Sequence, residues 1–209
     1  MWHVVVPLKV WGAAKSRLAL PEAARRQMVQ AMAADTLATL TACPEVQTVS
    51  VLVRDRDLIR SPVLRDIATV VAQPDDTPSL DAALTWFATT VLTEPGPLAV
   101  VVADLPALTV TSLSKVLRQA QQHSSAMVAD RSNSGTTVLT ALVAAHVDPH
   151  FGPHSAAAHQ TAGATLVTSP ADVACDVDTL ADLAHARLLG VGPQTATLLT
   201  DSAISGWLG

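Results

Sequence analysis

The 209-residue chain has no tyrosine, two phenylalanines and four tryptophans, so aromatic side chains make up only 3% of it. A core must therefore be filled with aliphatic side chains. The 49% hydrophobic content, rich in Ala, Val and Leu, suits helices packed on an aliphatic sheet. Cysteine occurs only at Cys43 and Cys175, which share no ligand-like spacing and read as reduced, incidental thiols. No apolar run approaches the length of a membrane span, and Met1-Trp2-His3 carries no basic start of a secretory leader. The expectation is a soluble, cytoplasmic protein with no membrane partner. A net charge of −5 leaves no basic excess to draw nucleic acid or anionic lipid. Repeats, low-complexity tracts and a dividing linker are also missing, so one domain over 1–200 with a tail over 201–209 is expected. A chain of this length buries about 70% of its unfolded surface, enough for a core without staples.

Lysine is scarce as well, and two of the three lysines fall in the first fifteen residues, at Lys9 and Lys15. They follow Val4-Val5-Val6-Pro7-Leu8, a β-branched run that reads as a buried strand. Pro7 and Gly12 then force a loop at its carboxyl end, where open α/β sheets bind ligands. With Arg17 the loop carries three cations, a layout suited to phosphate; a solvated basic stretch after an edge strand is the plainer alternative.

Along the chain, strand and helix patterns take turns, the mark of an α/β sheet with helices on both faces. Strands are expected at 2–8, 46–53, 67–72, 98–103, 126–129, 136–142 and 164–167. Helices are expected at 21–41, 79–92, 111–122, 155–161 and 179–189, with a turn at 131–135. The segment after Gly192-Pro193 has no assigned order. The uninterrupted apolar strand at 98–103 belongs at the sheet's centre.

That central strand runs into Asp104-Leu105-Pro106-Ala107-Leu108. A carboxylate emerging from a buried strand is costly unless neutralised, and a divalent cation would neutralise it; a helix cap or Asx turn is the competing role. In Asp176-Val177-Asp178-Thr179, the two-residue period sends both acids to one side and Val177 to the other. Two adjacent like charges suit a hard cation such as Mg²⁺, whereas Asp178 as an N-cap for the next helix is the alternative. Gly135-Thr136-Thr137 and Phe151-Gly152-Pro153-His154-Ser155 supply an anion site: Gly152 allows close approach of backbone, and Ser155 heads a short Ala-rich helix, or only caps it. Thr136 and Thr137 must face opposite ways if extended, so only one can line that site. His146, His150, His154 and His159 do not form a zinc site, because Pro149, Gly152 and Pro153 break the helix that their spacing would need.

Taken in order, Val6-Pro7-Leu8-Lys9, Ala14-Lys15-Ser16-Arg17-Leu18, Ala103-Asp104-Leu105-Pro106-Ala107-Leu108, Gly135-Thr136-Thr137, Phe151-Gly152-Pro153, Ser155-Ala156-Ala157 and Asp176-Val177-Asp178-Thr179 resemble the guanylyltransferases of coenzyme F-420 biosynthesis. These act on phosphoenolpyruvate or 2-phospho-L-lactate and belong to the molybdenum-cofactor-type nucleotidyltransferases. The resemblance covers residues 6 to about 199. It implies a single Rossmann-like nucleotidyltransferase domain with a mixed, mostly parallel sheet flanked by helices. It further implies GTP as donor, Mg²⁺ on Asp104, Asp176 and Asp178, and a small phosphorylated carboxylic acid held near Thr137, Gly152 and Ser155. Lys9, Lys15 and Arg17 would hold the triphosphate, with Lys15 and Asp104 as the catalytic pair; a homodimer is left open. Two positions depart from the pattern. Asp81 stands where the family has an amide, within Pro78-Ser79-Leu80-Asp81, and is a candidate for the nucleotide's base or simply a first-turn acid. His154 replaces a small residue beside Ser155. Another nucleotidyltransferase of the larger group, with a different acceptor, and a non-catalytic nucleotide-binding protein are the rival readings.

Overall fold

The computed structural model describes residues 1–8, 16–92 and 96–200. Seven strands, β1 (Trp2–Leu8), β2 (Val46–Val53), β3 (Thr69–Ala72), β4 (Leu98–Val101), β5 (Ser125–Ala129), β6 (Thr136–Ala141) and β7 (Thr165–Leu166), form one sheet in the order β3-β2-β1-β4-β6-β5-β7. Only β6 runs against its neighbours. The reason is local: β5 and β6 are joined by the short 130–135 turn, which can return the chain only antiparallel, and the returning strand fills the space between β4 and β5. The expected mixed, mostly parallel α/β sheet is thus the observed one. Because the other strands point one way, the carboxyl ends of β1, β4 and β5 and the amino end of β6 share one edge.

The helices are α1 (Glu22–Ala42), α2 (Arg56–Ile59), α3 (Pro62–Ile67), α4 (Leu80–Trp86), α5 (Val110–Ala120), α6 (Ser155–Thr161), α7 (Leu180–Leu189) and α8 (Pro193–Thr200). On one face of the sheet, Val4, Val6, Val51, Val101 and Val138 pack with Leu37 and Leu40 of α1 and Leu113 and Leu117 of α5. On the other, Val5, Leu52, Val100 and Leu139 pack with Leu84, Phe87 and Ala156 around α4 and α6. The alternation of Val4, Val5 and Val6 between faces follows the two-residue pleat, and it explains why β1 is apolar throughout.

Several expected boundaries move. The third strand starts at Thr69 rather than 67, because Ile67 closes α3; neither α3 nor α2 was expected. The helix expected to reach 92 passes into a π-helical turn over Phe87–Val91, closed by Leu92 N–H on the Phe87 carbonyl at 3.2 Å. β4 ends two residues early, at Val101. The segment left without assigned order folds as α8, whose first N–H groups, on Gln194 and Thr195, donate to Asp35 at 3.0 and 2.8 Å. Asp35 is buried in the middle of α1, so one helix caps another. Residues 201–209, the expected tail, lie outside the described residues.

Candidate active site

A third apolar cluster builds the site. Leu18, Met28, Met32, Ala107, Cys175, Val177, Leu183 and Leu199 are all buried together. Three of these residues sit directly beside or close to polar site residues in the chain: Leu18 follows Arg17, Ala107 lies three residues after Asp104, and Val177 lies between Asp176 and Asp178. Burying their apolar members in one cluster therefore delivers the neighbouring charges to one place. Val177 N–H also donates to the Asp104 carbonyl at 3.0 Å, fixing one acidic segment against the other.

The result is a group of half-buried carboxylates, Asp104, Asp176 and Asp178, with one oxygen from each lying within 4.8 Å of the others. Among the described residues it is the only such cluster of three or more His, Cys, Asp or Glu side chains. The capping alternatives are settled by the helix starts. Thr109 is the N-cap of α5, accepting from Ser112 N–H, so Asp104 does not cap it. α7 begins with a capping box in which Thr179 and Asp182 exchange side-chain and backbone hydrogen bonds, so Asp178 is not its cap. Three oxygen donors of this kind fit a hard divalent cation and do not fit a soft one.

Arg17, on a 3₁₀ turn over Ser16–Leu18, forms an ion pair with Asp178. Its side chain is 71% exposed. Lys9 and Lys15, predicted to bind phosphate beside it, lie outside the described residues. Arg131 donates to Asp182 at 2.6 Å, while its own N–H donates to the Ala174 carbonyl. Burial alone would raise the Asp182 carboxyl, but the Thr179 and Arg131 donors outweigh it and hold its pKa below the ordinary value. Neither Arg131 nor Asp182 was singled out in the sequence, although Thr179-Leu180-Ala181-Asp182 carries the capping-box pattern that would have found the second.

The expected anion site lies along the same edge. Val102 N–H, two residues before Asp104, donates to the Thr137 carbonyl at 3.0 Å. Pairing steps from Val128↔Val138 to Ala129↔Thr136, so Thr137 is bulged out of register with β5. The expectation that Thr136 and Thr137 face strictly opposite ways fails for that reason. Thr137 is buried, its hydroxyl 3.5 Å from the Val128 carbonyl, whereas Thr136 contacts His159. Ser155 is buried too, and Gly152 is exposed. Gly152 has φ +149°, a backbone conformation that side chains resist, and a Cβ there would meet nothing within 4 Å. Two of the N–H groups at the helix start expected to offer an anion site are taken within the fold: Ser155 N–H donates to the Gly152 carbonyl and Ala156 N–H to the Ser134 carbonyl. Ser155 does not cap α6 either; that position belongs to His154, in the left-handed conformation at φ 61°.

Two side chains hold this loop from behind. Asp81, in the first turn of α4, accepts from Phe151 N–H at 2.9 Å. His159, fully buried in α6, accepts through Nε2 from His150 N–H at 2.8 Å and contacts the Thr136 hydroxyl through Nδ1 at 2.9 Å. An Nε2 that accepts must be unprotonated, so the proton of the neutral ring sits on Nδ1. Burial, and after it the neighbouring His150, push the His159 pKa down to about 4.

Residues 2–205 match the protein family described as guanylyl transferase CofC like. The chain is 37% identical over 211 residues to a phosphoenolpyruvate guanylyltransferase of Streptomyces coelicolor, covering 98% of this chain and 99% of that one. It is 37% identical over 203 residues to a Mycobacterium marinum protein of the same name, with coverage of 94% and 92%. Among solved structures, one from Desulfovibrio desulfuricans G20, described as a nucleotide-diphospho-sugar transferase, superposes with a TM-score of 0.71 at 14% identity over 98% of this chain and 92% of that one. The 4-diphosphocytidyl-2C-methyl-D-erythritol synthase of Anaerococcus prevotii gives a TM-score of 0.59 at 10% identity, over 90% and 94%. At those identities the likeness is one of fold.

Proposed function

We propose that this chain, which belongs to the CofC-like family of guanylyl transferases, transfers GMP from GTP to the phosphate of phosphoenolpyruvate, releasing pyrophosphate, in coenzyme F-420 biosynthesis. The observation that carries the reading is the convergence of three carboxylates and Arg17. The relatives' name, phosphoenolpyruvate guanylyltransferase, supports phosphoenolpyruvate over 2-phospho-L-lactate as acceptor.

The chemistry needs no specialised nucleophile. A phosphate monoester with a second pKa of about 6 is already mostly dianionic at neutral pH, so no side chain has to remove a proton. One of its oxygens attacks the α-phosphorus of GTP in line, and the bond from that phosphorus to the bridging oxygen of the β-phosphate breaks. Pyrophosphate leaves, and the acceptor keeps a new diphosphate link to guanosine. The obstacle is the approach of one anion to another. Asp104, Asp176 and Asp178 would hold Mg²⁺, which when bound neutralises charge on the α-phosphate and on the incoming oxygen. Lys9, Lys15 and Arg17 are assigned to the β- and γ-phosphates, where fixed cations stabilise the departing charge. Arg17 can exchange its ion pair with Asp178 for phosphate oxygens at little cost, since an exposed pair is worth only about 0–1 kcal/mol. Gly152 would give the acceptor an exposed, unobstructed stretch of backbone, and the buried Thr137 and Ser155 are assigned to the same acceptor.

Mass spectrometry after incubation with GTP, Mg²⁺ and each phospho-acid tests the proposal. The expected product is guanosine joined through a diphosphate to enolpyruvate, with pyrophosphate in equal amount. A preference for CTP, or an absence of guanylylated product with either acid, would overturn it.

A further inference from the structure

The loop between β6 and α6 is held by two consecutive amides that turn inward. His150 N–H goes to His159 and Phe151 N–H to Asp81, and the two acceptors come from different helices, α6 and α4. His159 is itself tied to β6 through Thr136, and the Phe151 ring lies edge-on against the His159 ring with centroids 5.0 Å apart. Immediately after these amides the backbone enters two positive-φ conformations, Gly152 at φ +149°, open to glycine but resisted by side chains, and His154 at φ 61°, which costs a residue with a side chain energy. Such a path persists only where its surroundings determine it, and the two inward hydrogen bonds are the determinants next to it in the chain.

We propose that Asp81 and His159 are positioning residues for the acceptor: they set where the Gly152 backbone stands, and Asp81 thus serves the acceptor half of the site rather than the base of the nucleotide. This rests on the guanylyl-transfer reading for what the loop holds. It does not rest on that reading for how the loop is held. An amide at position 81 would offer Phe151 the same kind of oxygen acceptor, without the charge.

Steady-state kinetics with each substrate varied in turn, on the wild type, Asp81→Ala, Asp81→Asn, His159→Leu and His159→Gln, together with amide hydrogen exchange on the same proteins, tests the assignment. Asp81→Ala is expected to raise the KM for phosphoenolpyruvate by about tenfold, the scale of one hydrogen bond to a charged group, and to leave the KM for GTP within about twofold. Asp81→Asn restores the acceptor KM to within about threefold, because its amide oxygen still accepts from Phe151. His159→Gln, with an oxygen near the Nε2 position, is expected to do the same relative to His159→Leu. In exchange, the Phe151 amide loses protection in Asp81→Ala and keeps it in Asp81→Asn. A rise in the GTP KM with an unmoved acceptor KM would overturn the proposal, as would equal loss in the Ala and Asn variants. The Asp81 variants keep the test open if the buried His159 cannot be replaced without unfolding. Should the wild type release no pyrophosphate from GTP and phosphoenolpyruvate, the guanylyl-transfer reading falls by itself, and a Phe151 amide still protected in Asp81→Ala would separately remove the loop assignment.

Discussion

At the scale of single residues, His159 shows how one buried side chain links stability to pH. Its folded pKa, about 4, lies below the ordinary value of about 6.5 because burial penalises the charged ring and the neighbouring His150 adds to that. The unfolded chain therefore takes up the proton first. The contribution is fully present above about pH 6.5 and is lost as pH falls toward 4. His150 and Asp148 are the titratable groups that act on the ring. Glu45, held down to about 2 first by the Ser114 hydrogen bond, against the upward push of burial, loses its contribution only between its ordinary 4.5 and that value. A thermal midpoint measured between pH 7 and pH 5 thus isolates His159: it should fall in the wild type and fall less in His159→Gln. Equal slopes would mean that the ring does not titrate as described. Nothing in the sequence distinguished this histidine from its three neighbours. Its role depends on burial and on the partner each ring nitrogen meets, and both are tertiary properties.

At the scale of elements, most of the alternation of strand and helix was legible because it follows from period and punctuation. β2 and α6 fall on the expected residues, 46–53 and 155–161. What was not legible depends on distant partners. α8 was left without an assignment because its first N–H groups are satisfied by Asp35, almost 160 residues earlier, rather than by a local cap. The approach is so close that a Cβ on Gly192 would lie 2.4 Å from the Asp35 carboxyl carbon. Removing the cap by Asp35→Ala should destabilise the protein by roughly 1–3 kcal/mol, since two helix-start donors lose a charged acceptor inside the fold. Denaturant unfolding measures this; an unchanged midpoint would mean that α8 does not depend on Asp35. The bulge at Thr137 was missed for a related reason, since a register shift is fixed by the pairing strand and leaves no mark in a short run such as Thr136-Thr137.

For the molecule as a whole, the sheet edge and the acidic cluster were legible for different reasons. The edge follows from topology, because parallel strands must end together. The cluster follows from Val177 and Leu18, whose burial in one apolar group was not visible in the sequence even though the charges beside them were. Asp104 and Asp178 were each ambiguous when read locally, because an aspartate near a helix start is commonly a cap. The helix starts are capped instead by Thr109 and Thr179, and the three acids lie together. The proposed reaction makes a definite demand on this geometry: the three acids would act on phosphate through a divalent cation. The most direct test is the initial rate of pyrophosphate release from GTP and phosphoenolpyruvate during a Mg²⁺ titration, for the wild type and for Asp104→Asn. The account predicts a rate that vanishes in EDTA, rises with Mg²⁺ in the wild type, and is lower by about 100-fold or more in Asp104→Asn with the fold intact. Full release in EDTA, or wild-type rates in Asp104→Asn, would contradict it.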